Sequence, residues 1–320
     1  MKVQGVSFLL TFRCNSECKH CAYQAGPQGR GVIDTNNAKR WLKELVETQP
    51  LRWLTLHGGE PFLYLELMME ILHLAKELGV PRRGAITNGF WAKDQETARQ
   101  ILENLRHSGL NCITFSVDGF HQEFVPFHKV RQAIEAATIV GFEKVWIDGY
   151  YLESLNAENQ YDRMTRKLLD ELADVDGIEI SSYKVDLEGR GANHLIEFAT
   201  LLDELPNKKC QLPFWLGGNL RSPEVVEIDY EGNVTLCPGI CIGSAGNDSI
   251  LKIIEGYNYR EHPIIRVLEE EGPLGLYHLA EALQLNPRSA FADECHLCYE
   301  MRRLLHRHYP NHLAPAQCYW

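Results

Sequence analysis

No run in this 320-residue sequence approaches the roughly 18 apolar residues that a membrane span needs. The first residues also lack the charged segment, apolar core and small-residue cleavage site of a secretory signal. Basic charge is scarce: 32 Lys and Arg stand against 43 Asp and Glu, a net charge of −11, whereas a general nucleic-acid binder presents a basic face. The clusters RHSGL and MRRLLHRH read as solvated helix ends. Ten cysteines are a modest density, and with no export signal the expected compartment is a reducing cytoplasm, where thiols stay free for metal. At 45% hydrophobic residues the chain can bury a sizeable core, as one larger domain with a smaller appendage.

What the sequence does contain is three cysteines set close together, Cys14, Cys18 and Cys21 in CNSECKHC. Three soft thiolates given to an iron–sulfur cube that takes four ligands leave one iron open. A closed zinc site is the alternative, since His20 lies inside the triplet and three cysteines with one histidine satisfy zinc. The context is an apolar run of strand length, Gly5 to Phe12, followed by a polar, Gly-rich loop to Gly31. Parallel α/β folds place reactive groups at such strand ends.

The spacing CxxxCxxC after a first strand resembles the radical S-adenosylmethionine (SAM) superfamily, with His20 where an aromatic residue is usual. Further landmarks follow in order. Leu51 to Leu56 reads as a second strand running into Gly58, Gly59, Glu60 and Pro61, and GGEP resembles the family's motif for the SAM amino group. Paired glycines let backbone approach a ligand, and a carboxylate accepts from an ammonium. Thr87-Asn88-Gly89 and Ser116-Val117-Asp118-Gly119 resemble the strand ends that touch the ribose and methionine portions of SAM, although Asn-Gly and Asp-Gly are also ordinary turns. The resemblance therefore implies a [4Fe–4S] cluster on Cys14, Cys18 and Cys21, with SAM contacts from Gly58, Gly59, Glu60, Pro61, Asn88, Ser116 and Asp118. Asp148 and Tyr151 are further candidates to face SAM or substrate.

Helical patterns at 36–47, 65–78, 94–107, 127–140 and 160–172 alternate with apolar runs at 5–12, 51–56, 83–87, 112–117, 143–149 and 178–185. The expected class is α/β. Right-handed crossovers would curl six such units into a partial (β/α)6 TIM-like barrel over residues 1–200, with a small α+β extension over 201–320.

That extension carries its own cysteines. Val225 to Cys237 reads as a β-hairpin turning at Glu231-Gly232-Asn233, and Cys295 and Cys298 follow in ECHLC. A hairpin with CxxC is also a zinc-ribbon pattern. With Gly189-Arg190-Gly191-Ala192 and the strand ending in VTLC, the region resembles the SPASM/twitch extensions of radical SAM enzymes, which hold auxiliary clusters. That resemblance implies one auxiliary [4Fe–4S] cluster on Cys210, Cys237, Cys295 and Cys298. Cys241, in the Gly-rich CPGICIGS, is a candidate hydrogen-atom donor or alternative ligand; Cys112 reads as a buried hydrophobe, and Cys318 as inert or as a cluster cap.

The implied activity is reductive cleavage of SAM to a 5′-deoxyadenosyl radical that takes hydrogen from a substrate carbon. Its expected outcome is oxidation, cross-linking or epimerisation of a peptide, carbohydrate or other small molecule. The implied partners are that substrate and an external electron donor such as flavodoxin or ferredoxin, with no membrane and no general nucleic-acid binding. A non-catalytic iron–sulfur or zinc protein, serving as electron carrier or interaction subunit, is the alternative class.

Overall fold

The six expected strands occur as β1 (Gly5–Leu9), β2 (Trp53–His57), β3 (Arg82–Thr87), β4 (Cys112–Ser116), β5 (Lys144–Tyr151) and β6 (Glu179–Lys184), all parallel. Helices α1 (Thr35–Thr48), α2 (Leu65–Glu77), α3 (Gln95–Ser108), α4 (Phe127–Val140) and α5 (Gln160–Asp170) connect them. These assignments come from a computed structural model that describes residues 1–48, 50–210 and 217–320.

Alternation along each strand separates a dry face from a functional one. Val6, Phe8, Leu54, Leu56, Ala85, Ile113, Phe115, Val145 and Ile147 are buried in the main core with apolar side chains of the helices. The intervening positions, Ser7, Thr55, Thr114, Trp146, Asp148 and Ser181, face a cavity of about 540 Å³. The α/β sheet thus forms the expected partial barrel, with both small polar and aromatic residues on its inner wall.

The C-terminal segment continues this sheet. After α6 (Arg190–His194) and the two-residue strands β7 (Gly218–Asn219) and β8 (Ser222–Pro223) come β9 (Val225–Asp229), β10 (Asn233–Cys237) and β11 (Ile240–Ser244). The strand order is β11-β10-β9-β1-β2-β3-β4-β5-β6, with β9 parallel to β1 and antiparallel to β10. The expected hairpin is present, its turn held by Asp229, whose carboxylate accepts from the backbone N–H groups of Glu231 and Asn233. The boundary expected near residue 200 therefore falls between strands of one sheet. The segment around Cys241, read from sequence as a Gly-rich loop, is strand β11. Gly239, at φ +84°, makes the turn that brings it back on β10.

Helices α7 (Ile250–Glu255), α8 (Pro263–Glu270), α9 (Pro273–Ala282) and α10 (Glu294–Leu305) complete the described elements. Helix α1 fastens this half to the first. The Trp41 indole N–H donates to the Ala245 carbonyl at 3.1 Å, and the Glu44 carboxylate accepts from the Ser249 hydroxyl and the Ile250 N–H at the start of α7. Trp41 is fully buried, edge-on to Phe8 of β1. Trp41→Ala should cost about 3–5 kcal/mol in urea unfolding. Trp41→Phe, which keeps the ring bulk but loses the donor, should cost only about 0.5–1.5 kcal/mol, one hydrogen bond, because the Arg40 guanidinium still donates to the Ala245 carbonyl at 3.1 Å.

Candidate functional site

The cavity lies at the C-terminal ends of the strands, where the loops after β1, β2, β3 and β4 meet. Cys14, Cys18 and Cys21 all line it, with Gly58, Gly59, Glu60, Asn88 and Ser116. The loop after β1 is held by its own backbone: Cys14 N–H donates to Gly26 O, Gly26 N–H to Phe12 O and Cys21 N–H to Cys18 O. Asn88 clamps it from the end of β3, its amide donating to Asn15 Oδ1 at 2.9 Å and lying 3.8 Å from Cys14 Sγ. Burial pushes the Cys14 thiol up to about 12, with the nearby Glu60 carboxylate adding to the rise, and burial likewise raises Cys18. Such thiols become thiolates when a metal supplies compensating positive charge.

A partner of this loop that the sequence reading did not assign is Arg190. Its guanidinium donates to the carbonyls of Cys18 (3.0 Å) and Ala25, and its N–H donates to Cys21 O at 3.1 Å. Its charge pulls the Cys14 and Cys18 thiols down, against burial. Gly189, at φ +54°, permits the approach, since a Cβ there would meet Ala22 O at 2.4 Å. The GRGA stretch drew notice in the sequence only as a family likeness; its contact with residues some 170 positions earlier leaves no local pattern.

Glu60 is 1% exposed. Its carboxylate accepts from Phe62 N–H (3.1 Å), the Thr87 hydroxyl (2.8 Å) and Asn88 N–H (2.8 Å). Burial nevertheless pushes it up to about 7, since neutral donors only partly offset desolvation. No Lys or Arg pairs with it among the described residues. The glycines before it line the cavity and also have a packing role. A Cβ on Gly58 would meet Thr11 O at 2.5 Å and one on Gly59 would meet Arg13 O at 2.1 Å, so their lack of side chains first of all lets β2 lie against the cluster loop. Pro61 does not line the cavity; it opens the 3-10 turn Pro61–Tyr64, which Glu60 caps.

Two expected contacts move by a few residues. Asp118 is fully buried and faces protein: its carboxylate accepts from the N–H groups of Phe120 and His121 and lies 2.8 Å from His121 Nδ1. His121, missed in the sequence, lines the cavity in its place. An acceptor on Nδ1 fixes the ring's orientation and leaves Nε2 as its other hydrogen-bonding atom. On β5 the alternation of Trp146, Asp148 and Tyr150 puts Tyr150, and not Tyr151, on the cavity wall. Opposite them Glu227 of β9, in register with Ser7, accepts from the Tyr23 hydroxyl at 2.7 Å and lies 2.9 Å from His57 Nε2.

The second cysteine group gathers where β10 meets α10. Cys237 ends β10, Cys295 and Cys298 share one face of the first turns of α10, and the field of Cys298 reaches Cys210, Cys237 and Cys295. Cys241 is elsewhere. Its buried thiol donates to Gly243 O at 3.2 Å and does not line the cavity, so the hydrogen-atom-donor role expected for it has no path to a substrate there. Cys112 is a buried strand residue, and Cys318, also buried, sits near Glu227 and Tyr23. All ten cysteines are free thiols.

Zinc with thiolate ligands at ~2.3 Å would bring its sulfurs within ~4 Å of one another. Among the described residues, the only three potential ligand atoms mutually within 4.8 Å are those of His20, Asp118 and His121. Among the described residues the three thiols of the loop are therefore not all within 4.8 Å of one another.

The Radical SAM superfamily model matches residues 8–158. The putative peptide biosynthesis protein YydG of Bacillus subtilis (strain 168) is 24% identical over 179 residues, covering 56% of this chain and 53% of that protein. The GTP 3′,8-cyclase of Vibrio vulnificus (strain YJ016) is 28% identical over 154 residues, covering 45% and 44%. The chain thus spans about half the length of the curated relatives it matches. In fold, it is similar to a tagged form of anSMEcpe with bound AdoMet, with a TM-score of 0.53 at 13% identity over 97% of each chain. With its three-cysteine loop, the carboxylate after β2 and the partial barrel behind them, the chain carries a radical SAM domain across residues 8–158.

Proposed function

We propose that this protein is a radical SAM enzyme acting on a peptide or a small molecule, and that Cys14, Cys18 and Cys21 hold its [4Fe–4S] cluster. When bound, cluster and SAM together supply a 5′-deoxyadenosyl radical able to take hydrogen from carbon. The observation that carries this reading is Glu60, a buried carboxylate on the same cavity as the three thiols with no cationic partner among the described residues. The ammonium of SAM is a suitable counter-charge, and three neutral donors already fix the carboxylate's orientation. Gly58 and Gly59 set the backbone beside it, Asn88 steadies the cluster loop, and Ser116 and His121 offer polar contacts to the nucleoside portion. Asp148, Tyr150 and Glu227 line the part of the wall contributed by β5 and β9, where we place the substrate.

Residues 201–320 serve in this proposal as a SPASM/twitch-like module holding one auxiliary [4Fe–4S] cluster on Cys210, Cys237, Cys295 and Cys298. The reaction is an oxidation, cross-link or epimerisation, driven by an external donor such as flavodoxin or ferredoxin in a cytoplasm that keeps thiols reduced. A peptide substrate is favoured by the relative named for peptide biosynthesis.

Anaerobic reconstitution should give about eight irons per chain, four for each cube, and Cys14→Ala/Cys18→Ala/Cys21→Ala should retain about four and make no 5′-deoxyadenosine on incubation with SAM and dithionite. A wild type that loads iron yet leaves SAM uncleaved would point instead to an electron carrier. Glu60→Gln, nearly isosteric and uncharged, should weaken SAM binding about 10–100-fold, the loss of one charged hydrogen bond, while iron content stays at the wild-type level. Equilibrium dialysis with labelled SAM reads the first quantity and iron assay the second.

A further inference from the structure

Arg302 is among the largest buried side chains, 2% exposed, on α10 one turn beyond Cys298. Its Nη1 donates to Pro238 O and lies 3.4 Å from the Tyr319 hydroxyl, and its Nη2 lies 3.4 Å from Glu188 Oε2. The guanidinium carbon sits 5.9 Å from the ring centres of both Tyr299 and Tyr319. These contacts hold the group in place but do not use it fully, because Nε is buried with no hydrogen-bond partner among the described residues. A buried donor left unpaired costs about 1–3 kcal/mol, more for a charged group, so its retention calls for an acceptor. Besides Glu188, the groups around it that a metal could turn anionic are the thiols. The Cys298 side chain is within hydrogen-bonding reach of the guanidinium, and the charge of Arg302 is felt at Cys210 and Cys237. Glu188, its carboxylate partner, lines the cavity, so Arg302 stands between the second cysteine group and the substrate wall.

We infer that Arg302 is a positioning residue for the second cysteine site: it hydrogen-bonds the sulfur of an iron–sulfur cluster held by Cys210, Cys237, Cys295 and Cys298, and raises that cluster's reduction potential. The inference rests on the auxiliary-cluster reading above. A cube with four thiolates becomes one unit more negative on reduction, and a fixed cation in a low-dielectric setting favours the more negative state. Hydrogen bonds to ligating sulfur act in the same direction. The arginine thereby favours the second cluster as an electron acceptor, against the carboxylates of Asp186, Glu188 and Asp293 near Cys295, and this suits a substrate radical that must lose an electron on the way to product.

The test is a redox titration of the anaerobically reconstituted protein followed by electron paramagnetic resonance, on wild type, Arg302→Lys and Arg302→Gln. The first cluster is recognised by the change in its signal when SAM is added. The expected result is a second-cluster midpoint that is highest in wild type, lower in the lysine variant, which keeps the charge without the planar fork, and lowest in the glutamine variant. The first cluster's midpoint should not move. Loss of four irons from Arg302→Gln alone, with wild-type circular dichroism and iron retained in Arg302→Lys, supports the same contact. Unchanged midpoints in both variants at full iron content overturn it. A wild type that binds only four irons overturns the second-cluster reading and the inference with it, and that result precedes any variant.

Discussion

The site depends on a buried negative charge held by neutral donors. Glu60 takes hydrogen bonds from the turn it caps, from the hydroxyl that ends β3 and from the next backbone N–H. Thr87 in turn accepts from the Trp91 indole and from Gly89 N–H, and Trp91 stacks on Phe62 beside Glu60. The loops after β2 and β3 are thereby one unit. Through Asn88 that unit also holds the loop of the first three cysteines. The cysteine loop, the carboxylate and the strand ends are placed relative to one another by a continuous polar network, and the charge at its centre is costly until a cation arrives.

Much of this was legible in the sequence because it is local. The strand-then-CxxxCxxC order, GGEP after β2 and the Asn-Gly and Asp-Gly ends each need only a few consecutive residues, and the alternation of apolar runs with helical periods specified the barrel. Two errors came from side-chain direction. Asp118 turns back to accept N–H groups of its own turn, a habit of Asp in tight turns, and hands the cavity position to His121. Tyr151 and Tyr150 differ by one place on a strand, and one place changes the face. Other features were out of reach because they are made by distant residues. Arg190 on the cluster loop, Glu227 beside His57 and Arg302 beside Cys298 and Glu188 are contacts of tertiary structure, and none has a spacing to read.

The second cysteine group differs from the first in its electrostatic surroundings. The first looks onto Glu60 and is served by one arginine whose donors go to backbone carbonyls. The second is packed around an arginine with a spare donor and aromatic walls. On the reading proposed above, the same inorganic unit would meet two environments of different charge balance, one suited to delivering an electron to a ligand and the other to receiving one. The Glu188–Arg302 pair lies between the two, with Glu188 on the cavity side.

Strand β1 has β2 on one side and β9 on the other, and residues 5–9 pair with residues 225–229. During synthesis, which proceeds from the N-terminus, β1 therefore keeps one open edge until more than two thirds of the chain has been made. The cysteine loop grows directly from that strand. One side of its base is secured by a pairing of very long sequence separation, the kind that forms late in folding. A nascent chain that stalls before residue 225 would therefore present an unpaired strand edge together with three free thiols, a species prone to association and oxidation.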